Sequence, residues 1–137
     1  MARFIAIIDR NEDGTLFASF PDAPGCTAGG GTEEEVITAA TEALAEWASD
    51  VIAGGLELPQ PRSFADLMQT DEFAQLTSGG SIVATVPMLK LSGKLAKANI
   101  SLDAGLLENI DEEATRRGMT RSAFLASAAM EKLLAAV

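Results

Sequence analysis

Three polar side chains alternate along a short run near the C-terminus of this sequence. Lys97, Asn99 and Ser101 occupy every second position of Lys97–Asp103, so in a strand they would share one face. An ammonium, an amide and a hydroxyl group are side-chain chemistries that hydrogen-bond with the base edges and phosphates of DNA. The other face of the run is apolar. The pattern therefore predicts a strand with one face for recognition and one face for a core.

This predicted strand has no obvious partner strand close to it in the sequence. Two helical patterns follow it, and an isolated strand leaves its backbone hydrogen-bonding groups unpaired. The simplest partner is the same strand of a second copy of the chain. The two strands would form an antiparallel ribbon, which is narrow enough for the major groove of DNA.

The two helical patterns that follow are separated by a tight turn. The first spans Asp103–Arg117 and ends at Gly118, and the second begins at Thr120, a good N-cap residue. The backbone N–H groups of Thr120, Arg121 and Ser122 lie at the start of the second helix, where a backbone phosphate can bind, and Arg121 adds positive charge. The alternative is that this C-terminal part only dimerises.

Acidic and basic residues are divided unequally along the chain. Residues 1–90 carry four basic and fourteen acidic side chains, a net charge of −10, whereas residues 91–137 carry six of each. A strongly acidic part is poorly suited to nucleic acid and suits a basic partner. Ordinary solubilising charge is the alternative explanation.

The sequence lacks the residues of several common catalytic sites. It contains no histidine, which counts against zinc sites, Ser-His triads and Cys-His pairs. The single cysteine, Cys26, cannot form a disulfide within the chain and has no histidine to activate it. No apolar run approaches the roughly 20 residues of a transmembrane helix, and no secretion signal is recognisable. We therefore expect a cytoplasmic protein with no membrane, metal or cofactor requirement.

The acidic part reads as a small sheet covered by a helix. Apolar, strand-like runs and a capped amphipathic helix occur in the order strand, strand, strand, helix, strand. The predicted elements are the strands Arg3–Ile8, Thr15–Phe20, Cys26–Ala28 and Ser81–Val86, and a helix from Thr32 to about Ala53. Two short helical pieces, Ser63–Met68 and Thr70–Leu76, precede the last strand.

The first part of the chain resembles the HicB family of antitoxins, which are partners of HicA-type ribonuclease toxins. The resemblance rests on Phe20–Cys26 with its following glycines and acidic helix start, and on the segment Leu58–Pro61. It implies a small β-β-β-α-β domain, a truncated relative of the ribonuclease H fold, with a binding role. Nuclease activity is not expected, because Arg3–Ile8 carries no acid and Asp9 falls at the strand end, whereas that chemistry needs several carboxylates around two metal ions.

The second part resembles the ribbon-helix-helix repressors. The residues that carry the resemblance are Asn99–Asp103, Leu106 and Leu107, Ile110 and Asp111, Arg117–Ser122, and Phe124 and Leu125, at matching spacings. Membership would imply a β-α-α domain that dimerises through its strand and helices and binds DNA. The expected fold is therefore α+β, with a toxin-binding domain over residues 1–90 and a ribbon-helix-helix domain over residues 91–137.

Together the two resemblances predict an antitoxin that is not an enzyme. It would neutralise a HicA-like mRNA-cleaving toxin and repress its own operon by binding operator DNA as a homodimer, with a tetramer left open. The expected DNA-binding residues are Lys97, Asn99, Ser101, Thr120, Arg121 and Ser122. The candidate toxin-binding residues are Asp22, Glu42, Glu46 and Asp50, with the turn Asp22–Gly25 and the sheet edge as other candidates. The alternative function is a small-ligand or protein-interaction module that does not bind DNA and whose C-terminal part only oligomerises.

Overall fold

The computed structural model describes residues 1–135, and the chain divides into two units between Ser92 and Gly93. The first unit holds a sheet and three helices, and the second holds two helices. The boundary lies two residues beyond the end of the predicted 1–90 domain.

An antiparallel sheet of four strands forms the centre of the first unit, in the spatial order β3-β2-β1-β4. The strands are β1 (Arg3–Arg10), β2 (Leu16–Ser19), β3 (Thr27–Gly30) and β4 (Ile82–Pro87). Ile7 of β1 lies opposite Ser19 on one side and Val83 on the other. The expected α+β class is thus confirmed, and β1 extends through Asp9, which the sequence placed just after the strand.

Strand β1 carries an unbroken apolar run, Phe4–Ile8, because both faces of the sheet are covered there. Phe4, Ala6 and Ile8 pack with Val36, Ala40 and Leu44 of helix α1, which spans Glu33–Ala53. On the opposite face, Ile5 and Ile7 pack with Leu67 and Phe73. These last two residues belong to the short helices α2 (Phe64–Met68) and α3 (Asp71–Leu76). The sequence predicted the α1 layer and the two short helices, but not that those helices form the second layer.

The glycines after the third predicted strand belong to the strand itself. We expected strand residues at Cys26–Ala28, whereas β3 runs through Gly29 and Gly30 before α1 begins. At Gly30 the strand passes very close to the first turn of α1, since a Cβ atom there would lie 2.6 Å from the backbone nitrogen of Val36. Glycine is required for this close approach, and a pattern that treats glycine as a strand breaker misses it.

The second unit contains helices α4 (Ala104–Arg116) and α5 (Arg121–Leu134), both within a residue or two of the predicted helices. Asp103 caps α4 by accepting a hydrogen bond from the N–H of Leu106 at 2.9 Å. Gly118 adopts a φ of +67° in the turn between the helices, where a side chain would be strained. The predicted strand Lys97–Asp103 is not formed in the single chain, because no other segment of residues 1–135 pairs with it.

Replacing Gly30 with alanine should destabilise the first unit, because the new methyl group would press on backbone atoms of α1. We expect Gly30→Ala to cost about 1–3 kcal/mol of unfolding free energy, measured by urea denaturation. Gly29→Ala is the matched control, since its Cβ would lie 3.6 Å from the carbonyl oxygen of Leu16, an ordinary contact. Equal unfolding midpoints for the two variants would contradict the close strand-helix approach.

Candidate nucleic-acid and protein interfaces

The run from Lys97 to Ser101 is exposed along its whole length. Lys97, Asn99 and Ser101 all face solvent, and within the described part of the chain no hydrogen bond is recorded for their backbone or side chains. On the alternate positions, Ile100 is 63% exposed and Leu102 is 38% exposed. Apolar side chains and unpaired backbone groups therefore lie open together on one segment, which suits pairing with another strand.

The helix pair of the second unit buries little apolar surface. Ile110 and Ala114 of α4 are buried, but no residue of α5 is. Leu106 remains 48% exposed and Leu133 38% exposed. Two helices with this much uncovered apolar surface need a further partner to complete a core.

The start of α5 has the geometry of a phosphate site. The Thr120 hydroxyl accepts the N–H of Ala123 at 3.1 Å, and Thr120, Arg121 and Ser122 are all exposed. The N–H groups of the first turn have no partner inside the helix, and the helix dipole is positive at this end. These backbone N–H groups can therefore donate hydrogen bonds to an anion.

Arg121 itself is engaged by a carboxylate. Its Nε and Nη2 atoms donate hydrogen bonds to the two carboxylate oxygens of Asp111 in α4, at 2.8 and 2.7 Å. This pairing lowers the pKa of Asp111 and raises that of Arg121. No local sequence pattern indicates this pair, because the two residues are ten positions apart across a turn.

The other arginines of the second unit are also paired. Glu113 accepts hydrogen bonds from Nε of Arg116 at 2.9 Å and from Nε of Arg117 at 2.7 Å. The hydrogen bonds from Arg116 and then Arg117 lower the pKa of Glu113 to about 2, so this carboxylate stays ionised at neutral pH. Lys97, by contrast, takes part in no ion pair within residues 1–135.

Asp22 holds two distant segments of the first unit together. Its carboxylate accepts hydrogen bonds from the backbone N–H of Arg62 at 2.7 Å and from Arg62 Nε at 2.8 Å. The Asp22 side chain is only 11% exposed. The neighbouring carbonyl of Pro24 accepts a hydrogen bond from the indole of Trp47 at 3.1 Å. Most of the hydrogen-bonding capacity of the Asp22 carboxylate is thus used inside the unit, although the sequence makes Asp22 a candidate toxin-binding residue.

The other three acidic candidates lie along one groove. Glu42, Glu46 and Asp50 are exposed on α1 at intervals of four residues. They border a cavity of about 420 Å³ that adjoins an apolar cavity of about 220 Å³. We call the two together the α1 groove. Its apolar lining consists of Ala45, Ala48, Ile52, Leu58, Met88, Leu89 and Leu91.

The two residues considered for catalysis, Cys26 and Asp9, have structural surroundings in the first unit. Cys26 is buried, and burial raises the pKa of its thiol, which disfavours the reactive thiolate. The Asp9 carboxylate accepts a hydrogen bond from the Ser81 hydroxyl, beside a cleft of about 600 Å³. In residues 1–135 no three His, Cys, Asp or Glu side chains are grouped to hold a metal ion. None of the helices in this range is both long and apolar enough to cross a bilayer.

Comparison with known proteins decides the family. A model of the HicB-like antitoxins of bacterial toxin-antitoxin systems matches residues 4–129, which reach across both units. The chain belongs to this family. It is a family of antitoxins, not of enzymes, as the sequence resemblance predicted.

Two individual relatives match nearly the whole chain, and a third matches 62% of it. An uncharacterized 14.9 kDa protein from the rep-hol intergenic region of Haemophilus phage HP1 is 30% identical over 131 residues, 94% of this chain and 96% of its own. The crystal structure of the Burkholderia pseudomallei antitoxin HicB has 27% identity and a TM-score of 0.55, covering 97% of this chain and 99% of that one. A chain of the HicA3 and HicB3 toxin-antitoxin complex has 26% identity and a TM-score of 0.51, covering 62% of this chain and 95% of its own.

Within this HicB-like chain, removing Asp22 should loosen the turn and the connector that it joins. Asp22→Ala leaves the partly buried N–H of Arg62 without its acceptor, and we expect a loss of about 1–3 kcal/mol in unfolding free energy. Glu57→Ala is the control, because Glu57 is exposed and has no ion pair in the described residues. Its effect should stay within about 0.5 kcal/mol. Urea unfolding measures both, and a loss no larger than that of the control would show that Asp22 is free for another role.

Proposed function

We propose that this chain neutralises a HicA-like mRNA-cleaving toxin through its first unit and represses its own operon by binding operator DNA through its second unit. The observation that carries the proposal is the family match over residues 4–129, which includes most of both units. The similarity to a chain from a HicA3 and HicB3 complex supports a toxin as the partner.

Dimerisation of the second unit is the first step toward DNA binding. The open segment 97–103 would pair with the same segment of a second copy, giving each strand the hydrogen bonds it lacks in the single chain. Ile100 and Leu102 would then face the helices of both copies and cover the exposed surface of α4 and α5. This arrangement is a β-α-α ribbon-helix-helix dimer, which agrees with the exposure of these residues.

In such a ribbon the polar side chains would share the outer face. Asn99 can form two hydrogen bonds with adenine, Lys97 can contact guanine or a phosphate, and Ser101 can donate or accept. The start of α5, with Thr120, would bind the DNA backbone and fix the position of the ribbon in the groove. The two sets of residues then have separate tasks, sequence recognition and positioning.

The α1 groove is the proposed contact surface for the toxin. Glu42, Glu46 and Asp50 form an acidic wall, and the adjoining cavity offers an apolar floor. Lys90 also lines the apolar cavity, so the acidic side chains form one wall of the groove only. An apolar floor beside that wall suits a basic segment that also carries an apolar anchor. The net charge of −10 on residues 1–90 would favour association with a basic toxin.

A second candidate is the oligomerisation module that does not bind DNA. The observation in its favour is that Arg116, Arg117 and Arg121 all contact carboxylates of the same unit. Two carboxylates, Glu113 and Asp111, thereby offset part of the positive charge of these three arginines, which weakens any attraction for DNA. Direct measurement of DNA binding separates the two functions.

Alanine at Asn99 should reduce sequence-specific binding to the DNA upstream of the gene. We expect Asn99→Ala to lose about 1–3 kcal/mol of specific binding in a gel-shift titration, with binding to an unrelated duplex nearly unchanged. Lys97→Ala should weaken binding to both duplexes and make the salt dependence shallower. Lys132→Ala, near the end of α5, is the matched control for loss of a positive charge. Unchanged binding by both Asn99→Ala and Lys97→Ala would rule out this recognition face.

Charge reversal in the α1 groove should weaken toxin binding without affecting DNA binding. We expect Glu46→Lys to raise the Kd for the HicA-like toxin at least about tenfold in calorimetry, because like charges would meet at the interface. Glu12→Lys, an equal charge change in the exposed loop after β1, is the control. If Glu12→Lys weakened binding as much as Glu46→Lys, the effect would be one of overall charge, and the groove would not be the contact surface.

A further inference from the structure

The Asp111 carboxylate is paired with Arg121, the arginine next to the proposed phosphate site. Arg121 is the first residue of α5, and two of its five N–H donors point to Asp111 oxygens at 2.8 and 2.7 Å. The parallel, two-point geometry is the one that an arginine also offers to a phosphate. Asp111 and a DNA phosphate are therefore alternative acceptors for the same edge of the guanidinium group.

The position of Arg121 is not explained by the stability of its own helix. A positive charge in the first turn of a helix opposes the helix dipole, whereas Arg116 and Arg117 lie at the end of α4, where a positive charge is favourable. An unpaired cation at Arg121 would repel the positive end of α5. Asp111 removes that repulsion while no other anion is bound.

We propose that Asp111 holds Arg121 in an intramolecular ion pair and thereby limits the affinity for DNA. The inference rests on the proposed DNA-binding function. It adds Asp111, which is not among the residues expected to contact DNA. On binding, the guanidinium exchanges the carboxylate for a phosphate oxygen. The free Asp111 carboxylate then adds negative charge close to the DNA, which opposes the complex.

Neutralising this carboxylate should strengthen DNA binding. We expect full-length Asp111→Asn to bind the duplex upstream of the gene about three- to tenfold more tightly than the wild type at moderate salt, measured by fluorescence anisotropy. The plot of log K against log salt should become steeper. When the wild type binds DNA, the freed Asp111 carboxylate takes up a cation, and this uptake offsets part of the release of counterions from the DNA. The Asp111→Asn variant has no carboxylate at this position and takes up no cation there.

Three further variants separate the ion pair from simple loss of charge. Glu112→Gln removes the same charge from the adjacent position, where the acid is exposed and makes no ion pair in the described residues, so its effect should be smaller. Asp111→Glu retains a carboxylate that can reach Arg121 and should return binding toward the wild-type value. In an Arg121→Gln background, Asp111→Asn should have no more effect than Glu112→Gln. Thermal unfolding of each variant confirms that it is folded.

The outcomes distinguish this inference from the proposed function. If the wild type prefers its upstream duplex and Asp111→Asn binds no more tightly than Glu112→Gln, Asp111 has no such role and the DNA-binding proposal stands. Weaker binding by Asp111→Asn would show that the carboxylate orients Arg121 for the phosphate, which also overturns the inference. If neither the wild type nor any variant prefers the upstream duplex, both the inference and the DNA-binding proposal are wrong.

Discussion

Burial of strand β1 on both faces is the constraint on which the first unit depends. Because its side chains alternate between α1 on one side and α2 with α3 on the other, every position of Phe4–Ile8 must be apolar. The segment between α1 and β4 must therefore return across the sheet, and the contact of Arg62 with Asp22 fixes where it does so. The unit is thus closed by its own chain, and its exposed acidic residues remain available for a partner.

The second unit, in contrast, does not cover its own apolar surface. Its described residues form no central strand, its α5 buries no residue, and the segment before α4 carries exposed apolar side chains. A unit that folds without a partner would bury this apolar surface within itself. The exposure of the surface is therefore the physical argument for a second copy of the chain. If the copies pair through residues 97–103, the pairing that completes the core also brings two sets of polar side chains onto one narrow face. Folding and the proposed DNA recognition would then depend on the same strands.

The elements that follow from local patterns were predictable, and those that depend on distant contacts were not. Thr32 and Thr120 marked helix starts, and Gly118 marked a turn, because capping and positive φ act within a few residues. The two-layer cover of β1, the Asp22–Arg62 contact and the Asp111–Arg121 pair join residues far apart in the sequence. The predicted strand Lys97–Asp103 is a different case, since the pairing that we propose for it would need a second copy of the chain.

The separation into two units also resolves an electrostatic conflict. One continuous surface cannot attract both a basic protein and the phosphates of DNA, because each needs a field of the opposite sign. Here residues 1–90 carry a net charge of −10, whereas residues 91–137 are neutral overall. If the neutral second unit binds DNA as we propose, it must do so through the placement of a few charges rather than through its total charge. This makes the partners of each arginine decisive, since an acid such as Asp111 changes local attraction without changing the fold.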